Sequence, residues 1–191
     1  MRTANEANKE KFLKAAVCEL EEHGIADFSI RRVAKKCGVS CAAPYKHFEN
    51  KTALLEEVVA YVLKKWQSVL ESTVEAHKHE SVKEQLIAIS MSYVVFLCTY
   101  PEYQTALSMS DLIIKPHSFN EGSNVSAPTS ALIKEYCEKA NINEETRLRK
   151  YYVIRSLIFG GTKMIISGIL PFDSKTLDMI RSNIEREFDL P

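Results

Sequence analysis

The sequence is short of the residues that interrupt helices. Six glycines and six prolines in 191 residues leave room for long elements and exclude collagen-like or low-complexity architectures. No two cysteines stand at CxxC spacing: the five, at positions 18, 37, 41, 98 and 137, are scattered and odd in number. Neither a disulfide framework nor a zinc ribbon fits them, and reduced thiols in a cytoplasm are the expected state. Net charge is also missing, since Lys+Arg and Asp+Glu both total 25, so overall charge neither favours nor opposes an acidic partner. Met1 is followed by a polar, charged stretch rather than the apolar core of a signal peptide. The longest uncharged run, Gln85–Pro101, is 17 residues long and carries Gln85, Ser90, Ser92 and Thr99, which reads as a buried helix rather than a membrane span. No GxSxG, HExxH, P-loop or Glu-x-x-His pair is present. A non-enzymatic protein with no cofactor and no metal site is the expectation.

What is present is helical periodicity. Phe12, Ala16 and Leu20 recur every fourth residue beside Leu13 and Val17, the stripe of an amphipathic helix that Gly24 stops. Ser29 is placed to cap a second helix with Val33, Ala34 and Cys37 inward, and Gly38 stops it. Ser40 is read as the cap of a third helix running to Phe48, and Asn50 as the cap of a fourth that begins at Lys51. Helices separated by only Gly38 and Val39 must cross at a large angle, which is helix-turn-helix geometry. Leu54 to about His77, Ser81–Tyr100, a short helix opened by Pro101, Thr129–Lys139, Asn143–Leu170 and a last helix recapped by Ser174 follow. Residues 111–128 read as a loop, and no segment reads as a strand. The predicted fold is all-α, with a helix-turn-helix domain at 1–50 and a larger helical ligand-binding and dimerisation domain at 51–191.

Charge is distributed unevenly along this frame. From Ser29 to Phe48 there are five cations (Arg31, Arg32, Lys35, Lys36, Lys46) and no acid, which leaves the rest of the chain at a net charge of −5. Such an asymmetry suits one small surface facing an acidic partner. Ala34 is the small residue where the two helices touch, and Ser40, Cys41, Ala42 and Ala43 are short enough to approach a DNA groove. Tyr45, Lys46 and His47 bring hydrogen-bond donors for phosphates. Lys51 stands in the first turn of a helix, where the macrodipole disfavours a cation, and a bound phosphate would explain it. Arg32, Lys35 and Lys36 read as a solvated face. His77 and His79 point to different faces of a helix end and read as a surface pair rather than metal ligands. Cys41 reads as small filler rather than a redox sensor.

The residues Gly24, Phe28–Ser29–Ile30–Arg31, Val33–Ala34, Gly38–Val39–Ser40, Tyr45–Lys46–His47–Phe48 and Asn50–Lys51–Thr52–Ala53–Leu54–Leu55 together resemble the DNA-binding domain of the tetracycline-repressor (TetR) family. The resemblance implies a two-domain helical homodimer, usually a repressor released from its operator by a small ligand. It assigns Ser29, Tyr45 and Lys51 to phosphates, and Arg31, Ser40, Cys41, Ala42, Lys46 and His47 to bases or backbone. Tyr100–Pro101–Glu102–Tyr103 and Phe159–Gly160–Gly161 with Gly168 resemble the C-terminal domain of one subgroup. Pro44 departs from the pattern, standing where Leu or Phe is common, and predicts a slightly irregular start to the third helix. Cys41 and Ala42 stand where a basic residue and Gly are frequent.

Two expectations concern the C-terminal part. Residues 143–170 and 174–188 are predicted to form the dimer interface, through Ile154, Ile158, Gly161, Ile165 and Gly168 and through Leu177, Ile180, Ile184 and Phe188. Tyr93, Phe96, Tyr103, Met109, Tyr136, Tyr152, Phe159 and Met164 are the candidate lining of a pocket for a small, largely apolar effector. The expected partners are therefore double-stranded operator DNA, that effector and a second copy of the chain, with no membrane. The alternative is a helical-bundle interaction protein or carrier that does not bind DNA.

Overall fold

The computed structural model describes residues 4–113 and 127–191. In chain order they form α1 (Ala4–His23), α2 (Ile30–Lys36), a 3-10 turn (Pro44–Lys46), α3 (Lys51–His77), α4 (Val82–Thr99) and a second 3-10 turn (Pro101–Tyr103). Then come α5 (Gln104–Ile113), α6 (Ala127–Lys139), α7 (Glu144–Ile166) and α8 (Ser174–Asp189). No strand occurs among the described residues. They divide into two compact units, residues 4–65 with 102–113 and residues 66–101 with 127–191.

Helix ends follow local chemistry. Asn50, Ser81, Asn143 and Asp173 each accept a backbone N–H three residues on through their side-chain oxygens, at 2.8–3.2 Å. That satisfies a donor the first helical turn leaves without a partner. Ser174 is thus the first residue of α8 rather than its cap, a correction to the sequence reading. Ser29 holds the cap position of α2, but its side chain makes no cap hydrogen bond. At the other ends Gly38 and Gly168 turn the chain at φ +70° and +75°. In both, the two N–H groups past the helix return to carbonyls of its last turn, Val39 to Ala34 at 3.1 Å and Ile169 to Met164 at 2.9 Å. Gly168 therefore ends α7 at Ile166, well before Pro171, and the expected helix to Leu170 is too long. The loop predicted over 111–128 is helical at both margins, since α5 runs to Ile113 and α6 starts at Ala127; positions 114–126 lie outside the described residues.

The first unit buries Phe12, Leu13, Ala16, Val17 and Leu20 of α1 with Ile30, Val33 and Ala34 of α2, and Leu54, Val58 and Val62 of α3. Each large aliphatic among them contributes about 1.5–3 kcal/mol on burial. In the second unit α4 is the core helix. By length and composition alone it could cross a membrane, but it packs against α6, α7 and α8. Its Leu86, Ile87 and Val94 cluster with Ile158 and Ile165 of α7 and Ile180, Ile184 and Phe188 of α8. At Gly161 α7 lies close against α8, since a Cβ there would stand 2.8 Å from the Ile180 Cδ1.

That arrangement corrects the interface stripe read from the sequence. Ile158, Ile165, Ile180, Ile184 and Phe188 are at most 9% exposed within a single chain, so their apolar character is already used by the core. The large apolar residues left outside on and after α7 and α8 are Tyr152, Met164, Ile169, Phe172, Met179 and Leu190. The C-terminus of α8 is closed by side chains. The buried Lys150 ammonium donates to the carbonyls of Glu187 (2.7 Å), Phe188 and Leu190, and the Tyr136 hydroxyl donates to Phe188 O at 2.7 Å. A cation suits the negative end of the helix dipole, although burial pushes the Lys150 pKa down.

Candidate nucleic-acid interface

The segment after α2 is not the α-helix expected from Ser40 to Phe48. The Ala43 N–H returns to Ser40 O (3.0 Å), Lys46 to Ala43 O (3.2 Å) and His47 to Pro44 O (2.9 Å), all i→i+3 bonds. A single i→i+4 bond, Phe48 to Pro44 O at 3.0 Å, follows. The reason is Pro44. It has no N–H to give the Ser40 carbonyl, and its ring crowds that carbonyl in an α-helix, so the chain tightens into a 3-10 turn with Pro44 buried beneath it.

This turn and α2 carry the expected DNA-facing residues outward. Arg31, Ser40, Cys41, Ala42, Tyr45 and Lys46 are all exposed, Tyr45 at 54%. The side chains of Arg31, Lys35 and Lys46 have no ion pair or hydrogen bond among the described residues, and Arg31 and Lys35 share a face of α2 by their i, i+4 spacing. His47 is half-buried, its ring 5.5 Å from Phe12 and 6.1 Å from Phe48.

Other cations in the basic segment are committed inward. Glu19 is fully buried, and its Oε1 accepts from Arg32 Nε at 2.6 Å and from the Ser29 N–H at 3.3 Å. Lys36 pairs with Glu22 and approaches Glu19 Oε2 at 3.8 Å, and it holds the Glu22 carboxyl below its ordinary pKa mainly by donating a hydrogen bond. Arg32 and Lys36 therefore clasp α2 to α1 and are no merely solvated face. Lys51 also has a local partner. Its ammonium donates to the carbonyls of Ile25 (3.0 Å) and Ala26 (3.4 Å) and lies 5.8 Å from the Phe28 ring centre. The electrostatic reason the sequence lacked is supplied by the turn after α1.

The residues proposed for a pocket do not form one set. Trp66, Tyr93, Phe96 and Phe159 cluster in the second unit, with Trp66 4.7 Å from Tyr93 and 5.5 Å from Phe96, and Tyr93 edge-on to Phe159 at 6.3 Å. The Arg155 guanidinium stacks 4.8 Å from the Phe159 ring. Trp66 is absent from the lining expected on sequence grounds, where its being the only tryptophan was the available signal. Tyr136 packs edge-on against Phe188 at 5.1 Å. Tyr152 and Met164 are exposed, while Tyr103 and Met109 belong to the first unit. His77 Nδ1 lies 3.0 Å from Glu80, a helix-end surface pair.

α2 and the turn after it thus present exposed cations and small side chains, with no acid between Ser29 and Phe48. Residues 12–58 match the family model described as bacterial regulatory proteins, tetR family. No curated protein matches. Among solved structures, a TetR family transcription regulator from Marinobacter aquaeolei superposes with a TM-score of 0.79 at 16% identity, over 98% of each chain. A TetR-family regulator from Haemophilus influenzae gives 0.67 at 20% identity, again over 98% of each. A TetR variant from Acinetobacter baumannii in complex with minocycline gives 0.55 at 16% identity, over 93% of this chain and 92% of that one. At such identities the structural likeness carries the fold alone. Residues 12–58 are thus similar to the bacterial regulatory proteins of the tetR family, and the fold of the chain is like that of the solved regulators.

Proposed function

We propose that this chain is a homodimeric cytoplasmic repressor that holds operator DNA through Ser29, Arg31, Ser40, Cys41, Ala42, Tyr45, Lys46, His47 and Lys51. The observation that carries the reading is the exposed strip in which Arg31, Lys35 and Lys46 have no partner among the described residues while Arg32 and Lys36 do. The unpartnered cations are the ones free to neutralise phosphates. Lys51 has three N–H donors and spends two on carbonyls, leaving one for a phosphate. The Ser29 hydroxyl is uncommitted to its helix. The small side chains of Cys41 and Ala42 let the backbone approach a groove, and a methyl such as that of Ala42 suits contact with thymine. Residues 1–50, joined by Lys51 at the start of α3, make the DNA contacts, and the remainder of 51–191 carries dimerisation and control.

The dimer forms through the outward faces of α7 and α8, where Tyr152, Met164, Phe172 and Met179 stay exposed in one chain. Two recognition turns must then sit about 34–36 Å apart to enter successive major grooves. The effector is a small, largely apolar molecule bound at the Trp66, Tyr93, Phe96 and Phe159 cluster. It need only favour another spacing by about 1–3 kcal/mol to change operator occupancy roughly 5–150-fold. A gel shift of the full chain on the DNA flanking its gene, repeated across a panel of hydrophobic effectors, tests both parts. A retarded band that an effector dissolves supports the reading. A chain that retards no flanking fragment contradicts the DNA part, and a band that no effector moves contradicts the ligand part.

A further inference from the structure

We propose that the C-terminal turn of α1 is a binding site for a divalent transition-metal ion, held by the Glu19 and Glu22 carboxylates and the His23 imidazole in competition with the Lys36 ammonium. The i, i+3, i+4 spacing puts the three on one helix face. One ligand atom from each lies within 4.8 Å of the other two. His23 Nε2 stands 3.8 Å from Glu19 Oε2 and 3.7 Å from Glu22 Oε2. Donors around a tetrahedral ion at about 2.0–2.2 Å are roughly 3.3–3.6 Å apart, so small side-chain movements close the site.

An independent observation points to a missing ligand. Glu19 is fully buried, and while Oε1 is satisfied, its Oε2 has no hydrogen-bond partner. A buried carboxylate oxygen left without a donor is unfavourable. Lys36 Nζ and His23 Nε2 both stop 3.8 Å from it. That oxygen faces the gap the other two donors border. The site also lies in the last turn of a 20-residue helix, where the macrodipole favours a cation. Two carboxylates and one imidazole suit zinc, cobalt, nickel or manganese, with water completing the shell.

Lys36 is the resident counter-ion, and a metal entering between Glu22 and His23 displaces it from Glu22. Lys36 lies on α2 of the helix-turn-helix, so occupancy exchanges one inter-helix ion pair for a metal bridge within α1. Metal and ammonium exclude each other. The site therefore predicts effects of opposite sign from neighbouring substitutions.

The test uses the full chain without DNA, titrated with Co2+ and followed by its visible absorption, so its outcome is independent of whether the chain binds an operator. His23, Glu22 and Lys36 are exposed, and circular dichroism checks that their variants fold. His23→Ala and Glu22→Gln should each weaken binding by more than the roughly tenfold that a change outside the ligand shell costs. Lys36→Ala should tighten it, and His79→Ala and Cys18→Ser should leave it unchanged. Binding that survives both His23→Ala and Glu22→Gln, or that Lys36→Ala fails to tighten, overturns the proposal.

Discussion

Replacing Gly161 by Ala tests how α7 meets α8. In an exposed helix interior the change would stabilise by about 0.8–1.0 kcal/mol through backbone entropy. Here the new Cβ stands 2.8 Å from Ile180 Cδ1 and 3.2 Å from Cγ1. Ile180 is 5% exposed and packed within the cluster of Leu86, Ile184 and Phe188, so it cannot swing away without disturbing neighbours. Overpacking of this kind costs about 1–3 kcal/mol. Against the helix gain, Gly161→Ala should leave the protein less stable by up to roughly 2 kcal/mol. Ile180→Val removes the atom at 2.8 Å and by itself costs about 0.5–1.5 kcal/mol. The double variant should therefore be no less stable than Ile180→Val alone, with a favourable coupling of about 1 kcal/mol or more in a double-mutant cycle. Urea unfolding of the four proteins at one concentration provides the values. Additivity within about 0.5 kcal/mol, or a Gly161→Ala protein stabilised by the full helix-propensity gain, would refute the close approach.

Glu19→Gln should cost about 1–3 kcal/mol, because the amide oxygen can still accept from Arg32 and the Ser29 N–H but the buried charge that pairs with Arg32 and Lys36 is lost and an NH2 group takes the place of the buried Oε2; an unchanged urea midpoint would contradict the clasp. Burial pushes the thiols of Cys37, Cys98 and Cys137 up. A group whose folded pKa is raised binds its proton more tightly in the native state, so its contribution is complete below the unfolded thiol value of about 8.5 and is lost as pH rises through the folded value. Stability should accordingly fall from about pH 8.5 upward, less steeply in the variant with all three replaced by Ala, and coincident pH profiles would count against it. Met164→Glu or Phe172→Glu should convert a sedimenting dimer to monomer without unfolding it, since both side chains are exposed in the single chain. A wild-type monomer at micromolar concentration would remove the interface altogether.

Much of this fold is legible in the sequence because its signals are local. Gly24, Gly38, Asn50, Ser81 and Asn143 mark helix ends by conformations and hydrogen bonds made within a few residues of themselves. The helix-turn-helix is legible for the same reason, as spacing and residue type over one short stretch. Pro44 marks an irregular start, but its effect is larger than the sequence suggests: one missing donor and one crowded carbonyl at the start of a segment this short leave too few bonds to sustain an α-helix. Asp173 and Ser174 are adjacent residues of equal capping ability, and only the backbone angle at Asp173 decides between them. The remaining differences are all tertiary. Periodicity shows that Ile158, Ile165, Ile180 and Ile184 must be covered, not by what, and α4 covers them. Nothing near Arg32, Lys36 or Lys51 in sequence announces that Glu19 and the Ile25 and Ala26 carbonyls lie opposite them. The aromatic cluster needs Trp66 brought to Tyr93 by the packing of α3 and α4.

Whether the exposed strip of the head binds DNA is measured most directly by the salt dependence of that binding. Fluorescence anisotropy of the full chain on a fragment flanking its gene, across a range of salt concentrations, should give a linear fall of log affinity with log salt. Lys46→Ala and Arg31→Ala should each flatten the slope by about one unit for the phosphate that the native side chain neutralises, whereas Lys78→Ala, just beyond the end of α3, should not. Loss of Lys46 should weaken binding to specific and random DNA alike. Affinities and slopes that are the same in wild type, Lys46→Ala and Arg31→Ala would mean that the chain does not meet DNA through this surface.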